Sequence, residues 1–224
     1  MNSFLKQVLA TVVGFFCIGI FMLIMGTIMM LSVIALGNQK PTLDDKTVLR
    51  VNLNGTLTEQ AQENPFAELM GNSAMTEQGL DDLLKAIKTA KTNDKISGIY
   101  LEGGVLSADF ASLEELRKAL LDFKKSKKFV VAYADNYMQG TYYLASVADK
   151  VLINPEGMLD WHGIASQPIF FKELLEKVGV KMQVFRVGTY KSYVEPYTRT
   201  EMSDANREQV HSFISDIWNN VCKD

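Results

Sequence analysis

Residues 129–153 read Phe129-Val-Val-Ala-Tyr-Ala-Asp-Asn-Tyr-Met-Gln-Gly-Thr-Tyr-Tyr-Leu-Ala-Ser-Val-Ala-Asp-Lys-Val-Leu-Ile153. The apolar run Phe129–Tyr133 has the length and composition of a strand, Gln139–Ala148 that of a helix, and Val151–Ile153 that of a second short strand. A helix between two strands is the connection that makes them parallel neighbours. The same unit recurs upstream. Thr47–Leu53 alternates apolar and polar residues as a strand does, and Asn54-Gly55 carries a turn signal that ends it. Residues 58–78 are polar, contain Pro65 and Gly71, and read as a loop. Leu80, Leu83, Leu84 and Ile87 follow helical spacing, and Ile96–Leu101 is a strand running into Gly103-Gly104. Ser112-Leu-Glu-Glu115 matches a capping box for a helix carrying Leu113, Leu116, Leu120 and Phe123. The lysines that end this helix suit its negative pole and read as a solvated face. Downstream the pattern predicts a helix near Ile169–Lys177, a strand near Met182–Val187, and a long helix from Asp204 with Val210, Phe213, Ile214, Ile217 and Trp218 on one face. Repeated strand-then-helix units define an α/β domain with a mainly parallel sheet.

The amino-terminal end is of another kind. No charged residue lies between Lys6 and Lys40, and every acidic residue follows position 40. The apolar run over 8–36 exceeds the roughly 20 residues that span a bilayer. It also exceeds the apolar core of about 7–15 residues in a cleaved signal sequence, although Ala35-Leu36-Gly37 resembles a cleavage site. The expected organisation is a short cytoplasmic segment 1–7, a transmembrane anchor 8–36, a polar linker 37–46, and an extracytoplasmic α/β domain over 47–224. The orientation rests on the short leading segment, because Lys40 and Lys46 follow the span closely and weaken the charge bias.

After Lys6 there are 22 basic and 26 acidic residues, which gives no electrostatic footprint for nucleic acid. Cys17 lies in the apolar run and Cys222 near the end of the sequence, so they build no disulfide framework. His162 and His211 are the only histidines, and neither has metal-ligand spacing. No metal and no cofactor is expected. His162 reads as a turn residue and His211 as solvated.

Val187-Gly-Thr-Tyr-Lys-Ser-Tyr-Val-Glu-Pro196 places Lys191 in an irregular segment between Gly188 and Pro196. On the residues alone two readings stand. Lys191 is an ordinary surface charge, or it is aimed inward with Tyr190, Tyr193 and Tyr197 limiting its hydration. Desolvation of that kind disfavours the ammonium form and makes lysine competent as a general base.

Several stretches, taken in order, carry a resemblance: Tyr142-Tyr-Leu-Ala-Ser146, Asp149-Lys-Val, Pro155-Glu-Gly157, Phe185-Arg-Val-Gly-Thr-Tyr-Lys-Ser192, Val194-Glu-Pro196, and Met202-Ser203 with Arg207-Glu208. Over roughly residues 40–224 the chain resembles the amino-terminal half of long-form signal peptide peptidases, the SppA or protease IV family (peptidase family S49). The resemblance implies a Clp protease/crotonase-like spiral of β-β-α units, with Lys191 as general base. It aligns Gln139 with the nucleophilic serine of short-form members, so this repeat has no nucleophile there. It sets Gly103 and Gly104 at a strand end resembling the oxyanion turn of active repeats. The Ser-Pro that precedes such glycines is lacking, which favours a structural turn. Ser192 and Ser146 are not nominated as nucleophiles.

The function implied by the resemblance is that of a bacterial inner-membrane Ser/Lys endopeptidase acting on cleaved signal peptides, its serine expected from a carboxy-terminal repeat outside these 224 residues. Assembly into a homo-oligomer, a tetramer by family analogy, is implied as well. The principal rival is an inactive scaffold or assembly subunit of the same family. A crotonase-like enzyme of coenzyme A thioesters is the second, and the extracytoplasmic placement argues against it.

Overall fold

A computed structural model of the protein describes residues 3–37, 43–61 and 77–224. It divides into two units, Met1–Asp44 and Asp45–Asp224. The first contains helix α1, Ser3–Gly37, in which Lys6–Ser32 is long and apolar enough to cross a membrane. The hydroxyls of Thr11, Thr27 and Ser32 donate to carbonyls of Gln7, Ile24 and Ile28 in the same helix, at 3.0, 2.8 and 2.8 Å. Such back-bonding satisfies hydroxyls that lipid could not.

In the second unit, strands β1 (Thr47–Thr58), β2 (Glu77–Gly79), β3 (Ile96–Ser107), β4 (Phe129–Ala134) and β5 (Lys150–Ile153) form one parallel sheet in the order β2-β1-β3-β4-β5. Helices α2 (Leu80–Thr92), α3 (Phe110–Lys124) and α4 (Gln139–Ala145) connect successive strands. Alternate strand residues Val51, Leu53, Ile99, Leu101, Val130 and Ala132 are buried. Facing them are Ile87 of α2, Leu116, Leu120 and Phe123 of α3 and Leu144 of α4, all inaccessible. Each such side chain contributes roughly 1.5–3 kcal/mol by leaving water. The opposite sheet face carries Arg50, Asn52, Tyr100, Glu102 and Tyr133 and is partly open to solvent. This parallel sheet with its crossover helices is consistent with the expected Clp protease-like fold.

Four local expectations are corrected. Asn54-Gly55 does not end β1: Gly55 takes φ 97°, the register slips where Gly104 and Val105 of β3 stand against the single residue Asn54, and the strand runs on to Thr58. Gly103-Gly104 is not a turn, because both residues lie inside β3. The cap of α3 is Asp109, whose carboxylate accepts from Ser112 N–H and Ser112 Oγ at 2.8 Å each; Ser112 sits inside the first turn. Met182–Val187 forms no strand. It has no partner ladder among the described residues, and Phe185 and Val187 are 88% and 91% exposed. Of the polar loop over 58–78, residues 62–76 lie outside the described residues and Glu77–Gly79 is β2.

The lysines ending α3 do more than face water. Lys124 pairs with Asp149 at 2.7 Å, and Lys128 donates to the carbonyls of Ala90 and Asn93 at 2.8 and 2.7 Å, capping the end of α2. The carboxy-terminal region adds α5 (Lys172–Lys177), a 3₁₀ turn (Ser192–Val194), α6 (Glu195–Thr198) and α7 (Asp204–Lys223). On α7, Val210, Ile214, Ile217 and Trp218 are half-buried as one face, whereas Phe213 is 64% exposed and lies off it.

Candidate active site

The motif residues acquire physical roles in order along the chain. Asp149 accepts from the backbone N–H of Val130 at 2.8 Å and pairs with Lys124, pinning the start of β4 to the approach of β5. In Pro155-Glu-Gly157 the glycine is obligatory by space alone, because a Cβ there would sit 1.9 Å from the carbonyl oxygen of Asp135. Beyond this turn Tyr137 forms a bridge to Leu159, and Asn136 Oδ1 accepts from Met158 N–H at 2.9 Å.

Gln139 opens α4 and is almost fully buried. Its Oε1 accepts from the N–H groups of His162 and Gly163 at 3.2 and 2.8 Å, and its Nε2 donates to Gly163 O at 3.2 Å. The side chain thus clamps the passing backbone. A series of rings runs from Tyr137 edge-to-face to Tyr142 (5.9 Å), edge-to-face to Trp161 (5.5 Å) and on, in a tilted contact, to Trp218 of α7 (5.5 Å). His162 lies in irregular backbone rather than in a turn and is exposed, with Nδ1 2.9 Å from Asp160 Oδ1.

Lys191 lies in a turn fastened on both sides. Tyr190 Oη donates to Glu208 of α7 at 3.2 Å, Ser192 Oγ to Gln209 at 3.3 Å, and Arg186 donates to the carbonyl of Lys191 at 3.2 Å. Glu195, at 1% exposure, is the deepest member. Its carboxylate accepts from Ser203 Oγ at 2.5 Å, Ser203 N–H at 3.1 Å and Asn206 Nδ2 at 3.0 Å. Burial favours its neutral acid, but the bonds from Ser203 and Asn206 outweigh that and hold its carboxyl below the usual glutamate range. Because Ser203 caps α7, Glu195 joins the Val-Glu-Pro segment to the start of that helix.

The shielding expected around Lys191 is not present. The lysine is exposed, and Tyr190, Tyr193 and Tyr197 are 55%, 89% and 40% exposed. The physical reason lies in the preceding segment: without a strand over Met182–Val187, no sheet carries the turn into the interior. Ser146 is engaged, accepting from Arg117 at 2.7 Å and donating to Tyr143 O at 2.9 Å.

A cleft of about 560 Å³ opens beyond the carboxyl end of β4, over the middle of β1 and the second half of β3. Gly103 and Gly104 line it with Asn52, Asn54, Asp135 and Met158, but neither Gln139 nor Lys191 does. The structure therefore gathers the glycine pair into a cleft and leaves Gln139 and Lys191 at other places. Asn54, Asp135 and Asn136 were missed by sequence reasoning. The signal available was the same Asn54-Gly55 dipeptide that reads as a terminator.

The profile of peptidase family S49 matches residues 122–224. Protease 4 of Haemophilus influenzae is 37% identical over 190 residues, 82% of this chain and 31% of that protein. Protease 4 of Salmonella typhi is 38% identical over 180 residues, 77% of this chain and 29% of that protein. The chloroplastic serine protease SPPA of Arabidopsis thaliana is 30% identical over 174 residues, covering 78% and 24% of the two chains. The chain belongs to peptidase family S49, a family of proteases whose substrates are peptides. It spans about a third of the length of the two bacterial relatives, at 31% and 29%.

Proposed function

We propose that this chain is the base-bearing part of a membrane-anchored serine/lysine endopeptidase that degrades spent signal peptides. Lys191 would take the hydroxyl proton of a serine contributed by a second repeat of like architecture. The serine Oγ would attack the peptide carbonyl, and the lysinium would return its proton to the leaving amine. Gln139, with no ionisable hydroxyl, attacks nothing. The observation that carries this reading is the contrast within one motif. Neighbours of Lys191 on both sides are bonded into α7 and around buried Glu195, while its Nζ has no hydrogen bond or ion pair among the described residues. A fixed backbone with an uncommitted amine suits a group presented to an incoming partner, which would also supply the desolvation that lowers an amine's pKa. The helix over Lys6–Ser32 would hold the domain at the outer face of the inner membrane, beside apolar substrates.

The exposure of Lys191 also supports the rival reading, a scaffold that only assembles with other subunits. Cleavage of a fluorogenic apolar peptide separates the two. The full chain plus a separately supplied serine-bearing repeat should turn over, and the full chain alone should not. Lys191→Ala and Lys191→Arg should each lower kcat/KM by about 10²–10⁴ in that mixture, since arginine stays protonated. No turnover in the mixture favours the scaffold. Turnover by the chain alone contradicts a serine supplied from outside.

A further inference from the structure

The turn that carries Lys191 hangs on α7. Tyr190, Ser192 and Glu195 around the lysine bond Glu208, Gln209, Ser203 and Asn206, which belong to that helix or to its cap. Whatever fixes α7 to the rest of the domain therefore bears on where the lysine stands. The ring contact of Trp218 with Trp161 is one tie. Among the described residues, the hydrogen bonds from α7 to the crossover helices are those of its carboxyl cap, Asp224, with Arg117 of α3 and Tyr143 of α4. Apolar packing is incomplete at this end of the helix, for Phe110, Tyr143, Ile217 and Val221 line a cavity of about 210 Å³. Arg117 itself is 6% exposed. Its Nη1 donates to Tyr143 O at 2.6 Å and to Ser146 Oγ at 2.7 Å, and its Nη2 donates to the carbonyl of Asp224. The guanidinium carbon lies 4.7 Å from the centroid of the Tyr143 ring, and Tyr143 Oη donates to Asp224 Oδ2 at 2.5 Å. Burial, with that carboxylate, pushes the Tyr143 phenol well above its usual range, so the hydroxyl stays a donor.

We propose that Arg117 is a positioning residue for the base: with Tyr143 it clasps Asp224 and so holds α7, and with α7 the Lys191 turn, against α3 and α4. Stability alone does not account for an arginine here. Its Nε is buried and has no hydrogen-bond partner. A buried guanidinium with an open donor is costly, and a well-packed apolar side chain of similar volume is often no less stabilising. What arginine adds is direction, since its planar fork reaches the end of α4 and the end of α7 at once. Released at Asp224, α7 would pivot on the Trp218 contact. At about 1.5 Å per residue, a pivot of about 10° would carry Glu208, ten residues before Trp218, by roughly 2–3 Å. That is enough to spoil the approach of a general base to its partner. The role of Lys191 as base rests on the proposed peptidase function; the clasp stands apart from it.

The test compares the full chain in detergent micelles with Arg117→Met, Arg117→Lys and Tyr143→Phe. Methionine keeps the buried volume and removes the clasp, so the fold should persist. In Arg117→Met, amide exchange within 204–224, and at Glu195 and Ser203 beside the Lys191 turn, should quicken by about tenfold, the equivalent of one or two hydrogen bonds. Exchange in β3 and β4 should match the parent. Tyr143→Phe should quicken the same amides by less. With a serine-bearing repeat and a fluorogenic apolar peptide, kcat of Arg117→Met should fall about tenfold with KM unchanged, because the base and not the substrate has moved. Arg117→Lys, which keeps the charge without the fork, should recover only part of both effects. Unchanged exchange over 204–224 in Arg117→Met, or in Tyr143→Phe if methionine does not fold, overturns the clasp. So does loosening that spreads to β3 and β4, which would make Arg117 a general support of the core. A looser α7 with the parent kcat overturns the positioning role. Absence of turnover in the parent mixture counts against the peptidase function instead, and exchange at Glu195 and Ser203 then decides whether Arg117 orders the turn.

Discussion

Glu195 shows how a single titratable group couples the motif to the fold. Its folded pKa lies below the ordinary glutamate value of 4.5, so its contribution is fully present above that pH. It disappears as pH falls through the lower folded value. Urea midpoints measured across a pH series should hold steady above about pH 4.5 and decline below it, with Asp109 and Asp149, also held low, adding to the decline at still lower pH. Glu195→Gln should cost about 1.5–3 kcal/mol at neutral pH, the range for hydrogen bonds to a charged group, and should flatten the first part of that decline. At Gln139 the expected loss is structural. Gln139→Ala strips partners from two N–H groups and one carbonyl and should cost about 1–3 kcal/mol by urea unfolding, and Gln139→Ser should gain no peptidase activity. Residue identity made Gln139 legible as something other than a nucleophile. Its actual partners, at positions 162 and 163, lie far along the chain and leave no local trace.

At the level of elements, periodicity was a sufficient guide wherever a segment buries a face. All three crossover helices and the strands β1, β3 and β4 follow from alternation or from 3.6-residue spacing, because the buried side chains impose it; β5, exposed throughout, is legible only as a short apolar run. The errors fall where partners decide. Ser112 and Asp109 both suit a cap, and only the backbone path selects Asp109; Asp109→Ala should lower stability by about 1 kcal/mol in denaturant titration, whereas Ser112→Ala should cost less. Met182–Val187 has the alternation of a strand without a ladder to join. Gly103-Gly104 has the composition of a turn, yet pairing of Gly103 with Leu53 and Ala134, and of Leu106 with Gly55 beyond it, keeps the chain extended. Gly157→Ala, by contrast, should prevent the normal approach of the 154–157 turn to Asp135, visible as loss of soluble, cooperatively unfolding protein.

For the whole molecule, the apolar helix predicts that the chain stays with membranes under alkaline carbonate washing, and a chain found in the wash would remove the anchor from the account. Family, sheet and apolar helix were open to a reader of the sequence. The cleft was not, since it is made by strands ending at unequal heights, a relation among three segments. One feature of the fold also supplies its own reporter. The two tryptophans of the chain, Trp161 and Trp218, are neighbours at 5.5 Å, one on the strap clamped by Gln139 and the other on α7. No residue of α7 is fully buried, which puts that helix among the elements expected to open before the sheet does. Two indoles at this separation couple their electronic transitions, so undocking of α7 would erase an exciton signal in circular dichroism while the backbone signal of the sheet persists. The turn that carries Lys191 is tied to the same helix, and the optical signal would therefore follow, without any label, the fraction of molecules in which that lysine is held in place.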